Sequence, residues 1–370
     1  MTNPTASLRA AIERGDAVVR IRADLAPASG NRILPPTYAG GGHNMTPARH
    51  DGSSEWCSID SPASFANRIE AAIHSAHPEL APLCVRIGSK TLSTLQMPHR
   101  AFDATLRESE LDGKKWEQTE IAAALTAATP EKAYDILRYD PALILLGGWD
   151  STKLGKRAQA TREAKYPAAL SCEITASDVL PVRRAGSRID PLGIEGTSAS
   201  LVEHEDGTLD PYDEERHKDL PIRPDKDSGV YPRRVKPSQV NLGNVAPSLV
   251  DKGVLVRGAI TLDGVLDLRR LGRYRFDPAD AIEARLLLAL MGLYGVHETL
   301  RCGLDLRRDC ELVATGVEFS LQRFAAEPMA IDLTDVGDAL ATQITALKEH
   351  IAEPVYLTAN AALRSLVGAV

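Results

Sequence analysis

The sequence predicts a mixed α+β fold in which helices pack on one side of a sheet. Residues 17–25 alternate between apolar and charged side chains, which is typical of a half-exposed strand. Residues 279–300 repeat apolar side chains at helical spacing and form the strongest helix pattern in the chain. Strand and helix patterns alternate over most of the remaining sequence, and two long irregular segments interrupt them.

The predicted elements follow from periodicity and from the residues that bound them. Helices are predicted at residues 7–13, 61–76, 98–107, 119–127, 130–137, 158–166, 279–300, 336–351 and 359–367, and strands at residues 17–25, 83–87, 141–146, 168–180, 253–262, 310–315 and 317–321. Ser61 and Pro62 are suited to the first turn of the second helix, and Asp332 or Thr334 to the cap of the helix at 336–351. Residues 141–146 form a continuous apolar run, which we interpret as a buried strand.

Two segments are expected to be irregular. Residues 28–60 are rich in Gly, Pro, Ser and Asn and predict a long flexible loop, and loops of that length are usually functional or disordered. Residues 193–248 are polar, and their prolines exclude a long helix. Because strand patterns resume directly afterwards, we interpret this segment as an insertion into one elaborated domain that spans residues 1–370.

The composition is that of a globular protein with a large core. The chain has 370 residues, of which 44% are apolar and 25% are charged. No run approaches the roughly 18 apolar residues of a membrane helix, and the N-terminus lacks a signal pattern. The five cysteines are scattered and form no CxxC pair, so we expect a reducing cytoplasm without disulfides or a zinc site.

Charge is distributed unevenly along the chain. The net charge of −7 argues on average against a nucleic-acid partner. The acidic segment (residues 203–227) holds ten acidic residues and four Lys or Arg. Three basic clusters lie nearby: Arg183, Arg184 and Arg188; Arg233, Arg234 and Lys236; and Arg269, Arg270, Arg273 and Arg275. Solvated surface charge explains any one cluster, whereas three around one region favour a basic track.

Catalytic signatures are absent from the sequence. It contains no GxSxG, Walker A, GxGxxG or HExxH pattern. His74 and His77 have HxxH spacing without a Cys or carboxylate beside them, so no metal site is expected. Asp150 follows an apolar strand pattern, which suits a metal ligand or base, but we favour a turn-capping role. We therefore predict neither catalytic residues nor a cofactor.

The glycine turn at residues 183–188 is the best binding candidate. An arginine guanidinium group can bind one phosphate through two hydrogen bonds, and Gly186 lets the backbone approach a ligand closely. A surface turn balanced by Asp190 explains the same residues equally well. Aromatic residues make up only 5% of the chain, so nucleic-acid binding would grip the backbone and not stack bases.

Several motifs together resemble one known family. They are Leu34-Pro35-Pro36-Thr37-Tyr38, Leu145-Leu146-Gly147-Gly148-Trp149-Asp150-Ser151, Ser171-Cys172-Glu173-Ile174, Gly186-Ser187-Arg188-Ile189-Asp190-Pro191-Leu192-Gly193-Ile194 and the stretch from Gly303 to Val313. In this order they are similar to the backbone RAMP-superfamily subunit of CRISPR type I-U (I-G) Cascade effector complexes. The resemblance spans residues 30–315 and is specific in combination.

The resemblance implies a modified RRM-like (ferredoxin-like) palm with finger and thumb insertions, the thumb at residues 181–248. It also implies a non-catalytic, cytoplasmic CRISPR RNA-binding subunit of antiviral defence. Copies would line up head to tail along the guide RNA and present it to a target DNA strand, so that base pairing reads the sequence. Other Cascade subunits and an effector nuclease-helicase are the further expected partners, and no membrane is involved.

The residues expected to contact RNA follow from this resemblance and from the basic clusters. They are Arg20, Arg22, His43, Trp149, Ser151, Lys153, Arg183, Arg184, Ser187, Arg188, Arg233, Arg234 and Lys236. The acidic segment has no assigned role, and we expect it to face a basic patch on the next copy of a filament.

Two alternative functions stay open. Related backbone subunits that cut RNA use a thumb aspartate and a metal, which would make Asp190, Asp206 or Asp210 the candidates here. An unrelated cytoplasmic enzyme with an acidic surface is the other alternative.

Overall fold

The computed structural model describes residues 4–149, 165–188, 190, 192–194, 200–222, 229–240, 242, 245–250 and 252–368. The chain forms two compact units. The first contains residues 1–180 and 254–370, and the second contains residues 181–253. The predicted insertion at residues 181–248 covers most of the second unit.

The helices and strands are numbered in chain order. The strands are β1 (Val18–Pro27), β2 (Arg32–Ile33), β3 (Ser54–Asp60), β4 (Leu83–Ile87), β5 (Lys90–Ser93), β6 (Ser109–Leu111), β7 (Lys114–Lys115), β8 (Gly148–Trp149), β9 (Lys165–Tyr166), β10 (Leu170–Pro181), β11 (Arg184–Arg188), β12 (Leu201–Glu203), β13 (Leu209–Pro211), β14 (Arg233–Val235), β15 (Val245–Val250), β16 (Val254–Val256), β17 (Ile260–Asp267), β18 (Leu304–Arg307), β19 (Cys310–Gln322), β20 (Met329–Ala330) and β21 (Val355–Ala359). The helices are α1 (Pro4–Arg14), α2 (Pro62–Ala76), α3 (Ala104–Arg107), α4 (Glu120–Ala127), α5 (Tyr134–Tyr139), α6 (Ala142–Leu146), α7 (Glu214–His217), α8 (Leu268–Leu271), α9 (Ala281–Arg301), α10 (Val336–Ala346) and α11 (Ala361–Leu366).

Six of these elements form the palm of the first unit. In chain order they are β1, α2, β10, β17, α9 and β19, and the four strands lie in the order β19-β1-β17-β10. All three pairings between them are antiparallel. This βαββαβ connectivity is that of the ferredoxin-like motif. The predicted mixed α+β class is confirmed, and the architecture is compatible with an RRM-like palm.

The alternation of β1 separates the two faces of the palm sheet. Val19, Ile21 and Ala23 are buried, whereas Arg20 and Arg22 are exposed. Since side chains alternate across a strand, the apolar set faces the helices and the charged set lies on the opposite, open face. The strand prediction at residues 17–25 is therefore confirmed.

Helices α2 and α9 pack closely under this sheet. Ser61 caps α2, since its hydroxyl accepts from the Ser64 backbone N–H at 3.3 Å. Helix α9 is buried along most of its length. A Cβ atom at Gly295 of α9 would lie 2.6 Å from Cγ2 of Ile69 on α2, so the contact requires a glycine. Both helix predictions are confirmed to within two residues at each end.

Two insertions interrupt the palm. Residues 77–169, between α2 and β10, contribute four strands of a second sheet in the order β5-β4-β21-β6-β7. Its middle strand, β21, comes from the C-terminal part of the chain and pairs in parallel with β4. The second unit follows β10 and precedes β16. It holds a two-stranded sheet, β11-β15, and a three-stranded sheet, β13-β12-β14.

Several secondary-structure predictions were wrong in part. The single strand predicted at 253–262 is two strands, β16 and β17. Residues 165–166, at the end of the helix predicted at 158–166, belong to strand β9, and the rest of that helix lies outside the described residues. The cap residue of α10 is Asp335, not Asp332 or Thr334. Residues 142–146 form helix α6 and not a strand, and all five are buried. A fully buried run has no alternation of apolar and polar residues, so its periodicity cannot distinguish a helix from a strand. Strands β2 and β3 lie within residues 28–60, which were predicted to form a loop, and β3 pairs with β10. The two pieces predicted at 310–321 are one strand, β19, with a register shift opposite Asp24 and Leu25.

Among the helices of the described residues, none combines the length and the apolar character that crossing a membrane requires.

Candidate functional site

The open face of the palm sheet carries the two arginines that were predicted on the first strand. Arg20 and Arg22 are exposed on β1. Within the described residues, neither side chain makes a recorded hydrogen bond or ion pair. Both guanidinium groups are therefore positioned on a rigid strand with their donors available to a ligand.

Acidic side chains lie beside these arginines on the same face. Register places Glu318 and Asp263 directly opposite Arg22, and Glu173 directly opposite Asp263. Directly opposite residues of antiparallel strands share a face. The open face of the four described palm strands therefore mixes both signs of charge, and its side chains include no aromatic ring. Any nucleic acid there would be held without the stacking of an RNP-type surface.

A buried ion-pair network connects helix α2 to the first insertion. Arg100 Nε donates to Oε1 of Glu70 at 2.7 Å, and Arg100 Nη1 donates to the Gly147 carbonyl at 2.6 Å. Burial raises the pKa of the Glu70 carboxyl to about 7, and the Arg100 guanidinium opposes this shift. Burial likewise raises the pKa of Asp140 to about 6, against the effect of Arg100.

This network borders a half-open cavity of about 790 Å³. Helix α2 forms one wall with Asn67, Glu70 and His74, and Met97 and Leu170 line other sides. His74 is within hydrogen-bond distance of Ser93 Oγ, at 3.2 Å, so its ring is bonded inside the fold. The Glu70–Arg100 pair fixes residues 97–101 against α2, and we assign it a structural role.

Trp149 lies on a short two-stranded ribbon that begins directly after Gly147. It belongs to β8, which pairs with β9 so that Trp149 is opposite Lys165. The indole is 54% exposed. Gly147 precedes the ribbon with a φ of +84°, and a Cβ atom there would lie 2.9 Å from the Tyr166 carbonyl oxygen. The Gly147-Gly148 pair is thus required by the turn. Asp150, Ser151 and Lys153 lie outside the described residues.

Two of the sequence motifs that are far apart in the chain meet at Asp60. The Asp60 carboxylate is fully buried and accepts from Arg68 at 2.9 Å and from Arg307 at 3.4 Å. Arg307 also donates to the Leu34 carbonyl at 3.4 Å, and the Leu34 N–H donates to the Asp309 carbonyl at 2.9 Å. The motifs at 34–38 and 303–313 therefore form one structural junction that holds the start of residues 28–60 on the palm.

His43 lies in the same irregular segment. Its Nδ1 is 3.0 Å from the Pro36 carbonyl oxygen, and the side chain is half-buried. This contact closes a turn within residues 36–43. The prediction that His43 contacts RNA stays a prediction.

The second unit uses two of the predicted basic residues for its own stability. Arg233 is 3% exposed, and its guanidinium donates to Glu203 and to the Tyr231 hydroxyl, each at 2.8 Å. Arg234 donates to Ser200 Oγ at 3.0 Å and lies over the Tyr212 ring at 4.2 Å. These contacts hold β14 beside its neighbours, so the structure gives both arginines a role inside the unit.

The remaining predicted residues of this unit are distributed over separate elements. Arg183 and Lys236 are exposed, on the segment after β10 and after β14 respectively. The glycine turn predicted at 183–188 is wrong, because residues 184–188 form strand β11. Arg184, Ser187 and Arg188 lie on this strand, and their side chains lie outside what the structure describes. RNA contact by these residues stays a prediction.

The acidic segment is partly ordered by its own hydrogen bonds. Asp206 Oδ1 accepts from the Thr208 hydroxyl and N–H, and these bonds lower the pKa of Asp206. Asp210 pairs with His204 at 3.0 Å, and Asp213 caps α7. The described residues contain no group of three or more His, Cys, Asp or Glu side chains that could hold a metal ion.

One basic cluster that was not chosen as a site forms a compact feature of the palm. Arg269, Arg270, Arg273 and Arg275 lie between β17 and α9. Arg270 donates to the Ala168 carbonyl, which lies two residues after β9. The sequence showed the charges as a cluster, but only the fold places Arg270 beside the segment that follows β9.

Part of the chain matches a known protein family. Residues 19–181 match the family model described as CRISPR-associated protein GSU0053, which is less than half of the chain. The matched region begins in β1 and ends with β10, where the second unit starts. No curated protein matches the chain. The part of the chain that holds β1, α2 and β10 of the palm is therefore similar to a CRISPR-associated protein family.

Proposed function

We propose that the protein is a non-catalytic RNA-binding backbone subunit of a CRISPR type I-U (I-G) Cascade complex in the cytoplasm. Copies assemble head to tail along the CRISPR RNA and leave its bases available to a target DNA strand. Other Cascade subunits and an effector nuclease-helicase complete the assembly. The observation that carries the proposal is the family match over residues 19–181, which contain the first half of the palm.

Features of the fold support this role. A palm with an open, mixed-charge face suits backbone contact without base reading. The second unit is inserted between β10 and β17, which are neighbours in the sheet. In this proposal the second unit is the thumb that contacts an adjacent copy. In this proposal sequence recognition comes from base pairing, which explains why the palm face needs no aromatic platform.

Co-expression with a CRISPR RNA tests the proposal. The purified protein is expected to carry RNA, seen as a high ratio of absorbance at 260 nm to that at 280 nm, and to protect it from added ribonuclease. A protein that elutes as a monomer without nucleic acid would contradict the proposal.

The same preparation separates a scaffold from a nuclease. A matched RNA target is incubated with the loaded assembly and Mg²⁺. An intact target is the result expected of a non-catalytic subunit. Regularly spaced cuts that disappear in an Asp190→Asn, Asp206→Asn or Asp210→Asn variant would instead establish a metal-dependent nuclease.

A further inference from the structure

We propose that the arginine loop, which we define as residues 267–276, binds the phosphodiester backbone of a nucleic acid through Arg273 and Arg275. The inference rests on the proposed function, because it assumes a nucleic-acid partner. It assigns a binding role to a basic cluster that was not among the residues predicted to contact RNA.

The loop is held rigidly at both of its ends. The Asp267 carboxylate caps α8 by accepting from the N–H groups of Arg269, at 3.0 Å, and Arg270, at 3.3 Å. After the short helix, Tyr274 and Phe276 are 3% and 1% exposed and stack at a ring-centroid distance of 6.4 Å. The buried aromatic side chains act as anchors, so the segment between them has little freedom to reorganise.

Alternation along the loop directs two arginines to the solvent. Arg273 and Arg275 are exposed, whereas Tyr274 and Phe276 are buried. The backbone of Arg275 also pairs with the turn at residues 130–133, since its N–H donates to Pro130 at 2.8 Å and its carbonyl accepts from Ala133 at 2.9 Å. The two guanidinium groups thus project from a fixed backbone, and a preorganised site loses less entropy on binding.

The Asp267 carboxylate pairs with the other two arginines of the loop but not with Arg273 or Arg275. Arg269 is paired with Asp267 at 3.0 Å, and Arg270 is 3.7 Å from the same carboxylate. Arg275 donates to the Gly272 carbonyl at 3.0 Å. No ion pair of Arg273 or Arg275 with a carboxylate is recorded within the described residues.

Neighbouring charges make the loop more favourable to an anion. Arg285 donates to the carbonyl oxygens of Gly272, at 3.3 Å, and Tyr274, at 3.1 Å. Burial lowers the pKa of Arg285, and the charge of Arg275 lowers it further. Two acids follow the loop. Asp277 is exposed two residues after Arg275, and Asp280 caps α9 and partly offsets the lowering of the Arg285 pKa. Like charges held together on a rigid loop repel one another, and a bound phosphate would relieve this repulsion.

The chemistry of the two side chains favours phosphate over other anions of a cell. Guanidinium groups bind phosphate oxygens in pairs. One buried residue, Tyr274, separates Arg273 from Arg275. Two neighbouring guanidinium groups can each bind one phosphate of a strand. The structure assigns the loop to a phosphodiester backbone, and guide RNA and target DNA share that chemistry.

Binding measurements on the full-length protein test the inference. The variant Arg273→Ala/Arg275→Ala is compared with wild type by titrating labelled single-stranded RNA at several salt concentrations. We expect about tenfold weaker binding and a slope of log affinity against log salt that is smaller by about 1.4, since each phosphate contact with a single strand contributes about 0.7. The variant Arg273→Lys/Arg275→Lys keeps the charge and should recover most of the slope but only part of the affinity.

A matched control removes the same charge elsewhere. Arg301 and Arg364 are exposed on α9 and α11, and Arg301→Ala/Arg364→Ala should bind RNA as wild type does. Thermal denaturation of all the variants establishes that they fold. The loop anchors, Tyr274 and Phe276, are left unchanged.

The arms of the experiment distinguish the source of the phosphate. Weaker binding of guide RNA assigns the loop to RNA. Unchanged RNA binding with weaker capture of target DNA by the RNA-loaded assembly assigns it to DNA. Unchanged binding of both overturns the inference while the proposed function stands. A wild-type protein that binds no nucleic acid overturns both.

Discussion

At the scale of single residues, the close contact between α2 and α9 depends on a glycine, Gly295, which has no side chain. A Cβ atom at Gly295 would lie 2.6 Å from Ile69 and 3.3 Å from Ile73. Buried neighbours at this distance must shift, and overpacking of a core usually costs about 1–3 kcal/mol. Helix propensity favours alanine over glycine by about 1 kcal/mol, so the two effects oppose each other at this position.

We predict that Gly295→Ala lowers the free energy of unfolding, because the clash with α2 outweighs the gain in helix propensity. Gly337→Ala on α10 is the matched control, since its Cβ atom would meet only the Tyr294 ring at 3.5 Å. That substitution should leave stability unchanged or raise it by up to about 1 kcal/mol. Denaturant unfolding measures both, and equal effects of the two substitutions would contradict the packing account.

The buried Glu70 carboxyl predicts a pH dependence of stability. Its pKa is about 7 in the folded protein against an ordinary value of 4.5. Between pH 4.5 and pH 7 the Glu70 carboxyl is ionised in the unfolded chain but still protonated in the folded protein. The free energy of unfolding of the wild type therefore falls as the pH rises through this range. The stability of Glu70→Gln relative to wild type should therefore increase between pH 4.5 and 7, by roughly 1–3 kcal/mol.

Unfolding in denaturant at pH 5 and pH 8 measures this change. Glu353→Gln removes an exposed carboxylate and serves as the control for the loss of one negative charge. A difference between Glu70→Gln and wild type that is the same at both pH values would rule out the buried, protonated carboxyl. The absolute stability of the variant also reflects the lost partner of Arg100, so only the change with pH is diagnostic.

Residue roles were the hardest feature to predict from the sequence. Arg20 and Arg22 were placed correctly on an exposed strand face because alternation alone decides that. The sequence predicts Arg233 to be a basic surface residue, but its side chain is buried against Glu203 and Tyr231. Sequence spacing does not reveal such a pairing, because Glu203 and Arg233 meet only when β12 and β14 pair. The same holds for Arg307 and Leu34.

At the scale of elements, periodicity decided which predictions succeeded. β1 is half-buried, and α2 has one apolar face, so both leave a clear pattern. α6 is buried on all sides and leaves none. β3 lies in a segment rich in turn residues, and its identity as a strand comes from pairing with β10. Elements that depend on distant partners are therefore the ones that local patterns miss.

Helix α7 offers a test of the acidic segment at this scale. Asp213 caps the helix by accepting from Glu215 N–H at 2.9 Å and Arg216 N–H at 3.2 Å, so its reversal would damage the fold as well as the charge. Glu214→Lys/Glu215→Lys reverses two exposed charges and keeps the cap. If the segment faces a basic patch on the next copy, this variant should assemble on RNA at least several-fold more weakly.

The dependence of assembly on salt concentration tests whether the defect of the Lys variant is electrostatic. Its assembly defect should shrink as ionic strength rises, because exposed charge pairs are screened beyond about 10 Å at 0.1 M salt. Glu214→Gln/Glu215→Gln should give an intermediate defect. Assembly of the Lys variant at the wild-type concentration and at every salt tested would show that the acidic segment faces no such patch.

At the scale of the whole molecule, the chain is a βαββαβ palm with two insertions at its loops. The family match covers the first part of this palm and stops where the second unit begins. The proposed role follows from that combination, with the open face and the arginine loop as separate places for nucleic acid. Fold class was predictable from periodicity, whereas the position of the arginine loop required the packed structure.

The mass of the assembly as a function of RNA length tests the central claim most directly. The protein is co-expressed with CRISPR RNAs whose spacers differ in length, and the mass of each purified complex is measured by native mass spectrometry. A backbone subunit predicts one additional copy of the chain for each fixed increment of RNA length. A mass that does not change with the length of the RNA, or a chain without RNA, would contradict the account.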